Sequence, residues 1–190
     1  MLRTLLPVLL LLCPPANATT MLRAELPELA QSSDTIVHGT VRRMESRWSG
    51  DGRRIVTDVE IQVVEAFKGQ AGGSVLITQP GGRVGDIAQK VNGLASFTPG
   101  EEVVLFLVRA GPQAFRVAGM AQGKYKVQRS ADGTRVLAVP EPTGDTLLVD
   151  PDTRQPTTSS LRSLSLMELK TSIHAALQQR PAGRSLQRRP

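Results

Sequence analysis

Residues 97–108 read Phe-Thr-Pro-Gly-Glu-Glu-Val-Val-Leu-Phe-Leu-Val, and the six consecutive apolar residues from Val103 to Val108 decide the fold class. Pro99-Gly100 precedes the run and Gly111-Pro112 follows it. So short a run, rich in valine and closed by turn residues, is a strand rather than a helix. A strand apolar on both sides needs cover on both sides, which places it in the middle of the fold.

Upstream, Ile55, Thr57, Val59, Ile61 and Val63 alternate with Asp58, Glu60 and Gln62. That period of two predicts a strand with one buried and one wet face. Thr35–Val41 is a strand of its own, with Gly39 marking a bulge. Ser49-Gly50-Asp51-Gly52 turns it back as a hairpin. Ser74–Gln79 is a third strand. From Gly81 to Gly100 runs a long, glycine-rich connection carrying Val84, Ile87, Val91, Leu94 and Phe97, and connections of this length in compact domains are often functional. Beyond the central strand come Ala114–Ala118, Lys124–Gln128 and Arg135–Val139, the last two joined by Asp132-Gly133.

Helices are predicted at both ends. Thr20–Gln31 carries leucines at near-helical spacing and a kink at Pro27. Ser165-Leu166-Met167-Glu168 matches a capping box, and Leu166, Leu169, Ile173, Ala176 and Leu177 form an apolar stripe. The expected fold is mainly β: a small five- to seven-stranded OB-like barrel with a short N-terminal helix and a C-terminal amphipathic helix. The long excursion between the third and fourth strands favours this barrel over a sandwich.

The chain divides accordingly. Residues 1–18 read as a secretory signal peptide, with a basic start, an apolar run and Ala16-Asn17-Ala18 at the cleavage point. Residues 19–140 form the barrel domain, 141–163 a surface segment rich in Pro, Thr and Ser, 164–179 the last helix and 180–190 a basic disordered tail. Cys13 leaves with the signal, so the exported body has no thiol and is held together by packing. The expected location is the periplasm or medium of a Gram-negative bacterium.

Charge argues against nucleic acid. There are 23 Lys and Arg against 17 Asp and Glu. Five of the basic residues are Arg3, Arg180, Arg184, Arg188 and Arg189, which leaves 18 against 17 in the body. The basicity belongs to the tail, where contact with anionic lipid or lipopolysaccharide is the sharper reading. The body has few aromatic residues for stacking bases.

Catalytic chemistry finds few residues to use. His38 and His174 are the two histidines, and no zinc spacing exists. Glu101-Glu102 and the trio Asp58, Glu60 and Glu65 read as solvated or turn-bonded carboxylates. Gly81-Gly82-Arg83-Val84-Gly85 lacks the Gly-Lys-Ser/Thr ending of a phosphate loop. No catalytic residue, cofactor or metal is expected. Candidate partner-binding residues are Gly81, Gly82, Arg83 and Phe97 on the long connection, Trp48 beside the hairpin turn, and Gln122, Lys124 and Tyr125.

Further landmarks are Asp34-Thr35-Ile36-Val37-His38-Gly39, Trp48, Thr57, Phe67-Lys68-Gly69, Gly81-Gly82, Phe97–Glu101, Leu105-Phe106-Leu107 and Gln122-Gly123-Lys124. Over roughly residues 30–130 they resemble a loose group of exported bacterial β-barrel proteins. That group is in turn similar to netrin-like (tissue-inhibitor-of-metalloproteinase-like) OB folds, a likeness of fold alone. Some of the bacterial group look to be encoded beside secreted matrixin-like zinc proteases. The resemblance therefore implies a protein partner, with a secreted protease as the first expectation. The animal inhibitors bind zinc through a disulfide-tethered N-terminal cysteine, for which this sequence has no counterpart, so no inhibitory residue carries over. The expected function is an exported, non-enzymatic binding module. The alternative is an envelope-associated structural protein held by its arginine tail.

Overall fold

The computed structural model describes residues 19–144 and 146–179. The signal-peptide and basic-tail readings thus lie outside the described residues. The body is mainly β. Five strands close into a barrel: β2 (Thr35–Trp48), β3 (Ile55–Lys68), β4 (Ser74–Pro80), β7 (Glu102–Arg109) and β8 (Phe115–Val117). β2, β3 and β4 form an antiparallel meander. β8 pairs parallel with β4 at Ile77↔Phe115 and antiparallel with β7, and β7 returns to β2. Counted as five, the strands run 1-2-3-5-4-1, the order of an OB barrel.

β7 is the strand that the apolar run predicted, and both of its faces are covered. Val103, Leu105 and Leu107 point into the barrel with Val37, Val59 and Ile77. Val104 and Phe106 point outward into a second core. That second core is roofed by two helices, α1 (Leu26–Ser32) and α2 (Leu166–Gln178), through Leu29, Leu169 and Ile173. All five residues from Val103 to Leu107 are buried. Each buried side chain of this kind contributes about 1.5–3 kcal/mol from removal from water.

β7 also forks the sheet. Its second half pairs with β8, and its first half pairs with β9 (Lys124–Arg129) through Val103↔Lys126 and Leu105↔Lys124. β9 continues the sheet into β10 (Val136–Pro140) and β13 (Leu164–Ser165), outside the barrel. A 3-10 turn, Met120–Gly123, swings the chain from β8 to β9.

β2 and β3 are twice the length of ordinary strands, and β2 breaks register at three places, one of them His38/Gly39. Bulges of this kind bend a strand sharply enough to serve two curved neighbours. Beyond the barrel, β2 and β3 run on together to the turn at Ser49–Arg54, where Trp48 pairs with Ile55.

The N-terminal helix differs from its reading. Thr20–Leu22 is a strand, β1, and the helix begins at Leu26 with Pro27 in its first turn. Proline there loses no hydrogen bond and starts the helix instead of kinking it. The Pro/Thr/Ser-rich segment contains β11 (Leu147–Val149), which pairs parallel with β1 and antiparallel with β12 (Pro156–Thr157). α2 has both arms of its capping box: Glu168 N–H donates to Ser165 Oγ (3.1 Å) and Ser165 N–H to Glu168 Oε2 (2.8 Å). Those bonds hold the Glu168 carboxyl below its ordinary pKa.

Candidate functional site: the pinned arm and its clefts

After β4, the Gly81–Gly100 connection folds back as a short hairpin, β5 (Gly82–Val84) and β6 (Ile87–Gln89), laid across the far end of the β2–β3 ribbon. Gly81 N–H donates to Ile55 O (2.8 Å), and Thr57 Oγ1 donates to Gly81 O (2.7 Å). Because Thr57 is thus occupied as a donor, Ser46 Oγ at 2.9 Å must donate to it. Gly82 lies directly on that pair. Its φ of +126° is one that L side chains rarely adopt, and an added Cβ would collide with both hydroxyl oxygens. The Gly81-Gly82 pair is therefore a docking joint.

Four more bonds pin the rest of the connection. Ile55 N–H donates to Gln89 Oε1 (2.6 Å), and Ala121 N–H donates to Gly93 O (2.9 Å). Gln79 Nε2 donates to Ala95 O (3.1 Å). Lys124 Nζ donates to Ser96 O. Between the pins, the turn of the arm stands in solvent. Arg83 and Asp86 are exposed there, with Ile87 51% and Val91 42% exposed. Trp48, 39% exposed, ends β2 beside the hairpin turn.

Five of the candidate partner-binding residues are taken off the surface, the first being Gly81 in the docking joint. Phe97 is buried and closes the end of the barrel. Lys124 is fully buried, its ammonium 4.9 Å from the centre of the Phe97 ring. It reaches Glu101 Oε1 (2.9 Å) and Glu141 Oε2 (3.1 Å). The next residue, Tyr125, points the opposite way into the helix-covered core, and burial pushes its hydroxyl up to about 12. Gln122 spends its amide internally, accepting from Ala24 N–H (2.9 Å) and donating to Leu22 O (2.9 Å). It fastens the start of the body to the 3-10 turn. The alternation Lys124-Tyr125-Lys126 reads as a half-wet strand, but β9 is covered on both faces at its first two residues.

Glu101 was expected to be solvated or turn-bonded, and it has both a turn bond and a buried partner. Its Oε2 accepts from Thr98 N–H (3.1 Å) while Oε1 holds Lys124. Glu102 serves the other side of the barrel wall. His38 Nε2 lies 2.8 Å from its Oε1, and Arg129 grips both oxygens at 2.7 and 3.0 Å. Burial raises the Glu102 pKa, but the bonds from Arg129 and His38 outweigh it and hold the carboxyl below its ordinary value. His38 is buried, with Nδ1 unpartnered and no serine or threonine hydroxyl bonded to the ring among the described residues. His174 is exposed and meets Phe67 edge-on at 5.8 Å. Among the described residues, no cluster of His, Cys, Asp and Glu is arranged to hold a metal, and no helix is long and apolar enough to cross a membrane.

Two clefts flank the root of the arm, sharing Val91 and Leu94 as their divide. One, about 430 Å³, is lined by the docking joint, with Ser46, Thr57, Gln89 and Lys90. The other, about 480 Å³, lies against β8 and the 3-10 turn and is walled by Val91, Leu94, Val108, Val117 and Met120. Met120 itself has a left-handed backbone, φ +58°. For a non-glycine residue such strain costs about 1–3 kcal/mol and persists only where the surroundings over-determine it. Here the pins on Gly93 and Gln122 do so. The long connection is visible in the sequence but this cleft is not, because its lining comes from five separate stretches of chain, at Ser32, Gln79-Pro80, 91–95, Val108 and 116–120.

The class defined by this architecture is a closed OB-like barrel carrying a pinned, apolar-tipped arm over one end of its longest hairpin. No protein family, curated protein or solved structure matches the chain in comparison with known proteins.

Proposed function

We propose that the protein is an exported binding module that recognises a protein partner through the tip of the arm and the neighbouring hairpin end. The observation that carries this reading is the contrast within one connection. Its backbone is pinned at both ends, yet it holds Ile87 and Val91 in solvent, and Gln89 between them bonds Ile55, the strand partner of the half-exposed Trp48. Large apolar side chains held on a rigid support are what interface anchors require, because little ordering remains to be done on binding. Arg83 on the same arm supplies a rim charge that sets orientation and on-rate.

Support for a non-enzymatic role is that His38, Glu101 and Glu102 are bonded in ways that account for them structurally. A secreted protease is the partner that the resemblance to the exported bacterial barrels favours. The test is binding of the purified protein to a secreted protease of the same cell, measured by titration. Trp48→Ala and Ile87→Asp should each raise Kd by about tenfold or more, as interface anchors do, while Leu137→Asp on β10, outside the barrel, leaves it unchanged. Equal affinities for all three variants, or turnover of a substrate by the protein alone, would refute the reading.

A further inference from the structure

We propose that the cleft between the arm and β8 binds a single-chain apolar anion, an amphiphile with a medium-length hydrocarbon tail and a carboxylate head. The site shares Val91 with the exposed face of the arm, but the inference does not depend on the partner reading.

Its volume, about 480 Å³, lies in the range of cavities that enclose a small ligand. The walls are mainly aliphatic or thioether side chains, with the Ser32 hydroxyl and the Gln79 amide as the neutral polar exceptions, and no aromatic ring stands among them on which a base or sugar could stack. A hydrocarbon chain is the ligand such walls favour, since each methylene removed from water contributes about 0.8 kcal/mol. One charged side chain lines the cleft, Arg116, and no acidic one does. Arg116 is exposed and forms no ion pair among the described residues. A guanidinium fork at the edge of an apolar slot matches a carboxylate in geometry as well as charge. A cationic head would meet the same guanidinium with repulsion.

The cleft is also preformed. Leu94 stands between two pinned carbonyls, Gly93 O held by Ala121 and Ala95 O held by Gln79. On the opposite side, Val117 and Met120 belong to β8 and to the 3-10 turn. A tail entering this slot meets walls already in place, so little conformational entropy is lost on binding. The twin cleft across Leu94 carries more polar lining, from Ser46, Thr57, Gln89, Lys90 and Ser96, and suits a tail less well.

Calorimetric titration of the purified full chain with dodecanoate, and separately with dodecyltrimethylammonium, tests this below their micellar concentrations. One dodecanoate site is expected, with the cation at least about tenfold weaker, equivalent to about 1.4 kcal/mol. Arg116→Glu should invert that preference, and Leu94→Trp, which fills the slot, should abolish binding of both. Val64→Glu on the outer wall is the control and should bind as the parent does. No dodecanoate binding at millimolar concentration, or equal binding by the parent, Arg116→Glu and Leu94→Trp, overturns the proposal. An apolar peptide with a free C-terminal carboxylate that binds more tightly than dodecanoate, with the same dependence on Arg116, overturns the amphiphile as its source.

Discussion

Lys124 shows how much of this molecule turns on a single side chain. Its ammonium is fully buried and is met by two carboxylates, a carbonyl and a ring face, each from a segment other than its own strand. Removing one member of such a cluster leaves uncompensated charge in the interior, which costs about 3–5 kcal/mol. Lys124→Met should therefore lower the urea-unfolding free energy by that amount. Adding Glu101→Gln and Glu141→Gln to it should recover much of the loss, because the stranded carboxylates are then gone. A second residue-scale prediction follows from Glu102. Its folded pKa is depressed, so the unfolded chain binds more protons as acid is added. The stabilisation is present above the ordinary glutamate range and is lost as pH falls through the lowered folded value. Urea midpoints taken from neutral pH down to about pH 3 should fall less steeply for Glu102→Gln than for the parent. Lys124 is also where the sequence was least legible. Its partners Glu101 and Glu141 lie 23 and 17 positions away, and alternation in one strand says nothing about them. The buried Gln122 was hidden for the same reason, its partners being about a hundred positions upstream.

At the scale of elements, the arm is a hairpin too short to stand alone, and its position comes from docking rather than from its own ladder. Gly82→Ala isolates that docking. The methyl group meets Ser46 and Thr57 at a backbone angle that alanine disfavours, so the joint must open. Hydrogen exchange should accelerate by about tenfold or more across residues 82–91, the opening of a local unit, while β2, β3 and β7 keep their protection. Unchanged exchange in the arm would mean that the joint is not what holds it. Much at this scale was readable in advance. Ile55–Val63 declared its wet and dry faces, Ser49–Gly52 its hairpin, and Ser165 with Glu168 the start of α2. The short elements were not, because β5, β6, β11 and β12 carry two or three residues each and exist through their partners. Pro27 misled for a local reason: the pattern placed it inside a helix when it stands in the first turn.

For the whole molecule, one central strand divides two cores, and neighbouring residues on β7 belong to different ones. Leu105→Ala and Phe106→Ala should accordingly be costly alike, about 2–5 and 3–5 kcal/mol, although their side chains point in opposite directions. A large difference between them in denaturant unfolding would mean that the helices cover less than the barrel does. Six apolar letters were enough to anticipate this arrangement. Closure of the barrel was less visible, since it depends on the three residues of β8 and a single parallel pairing at Ile77. The same closure leaves the arm at the far end of the β2–β3 ribbon, where we propose that a partner binds. The direct test is photo-cross-linking in the producing cell, with a light-activated residue placed at Ile87 in one strain and at Leu137 in another. One discrete adduct at 87 and none at 137 is the predicted result; adducts of the same pattern at both positions, or none at 87, would contradict it.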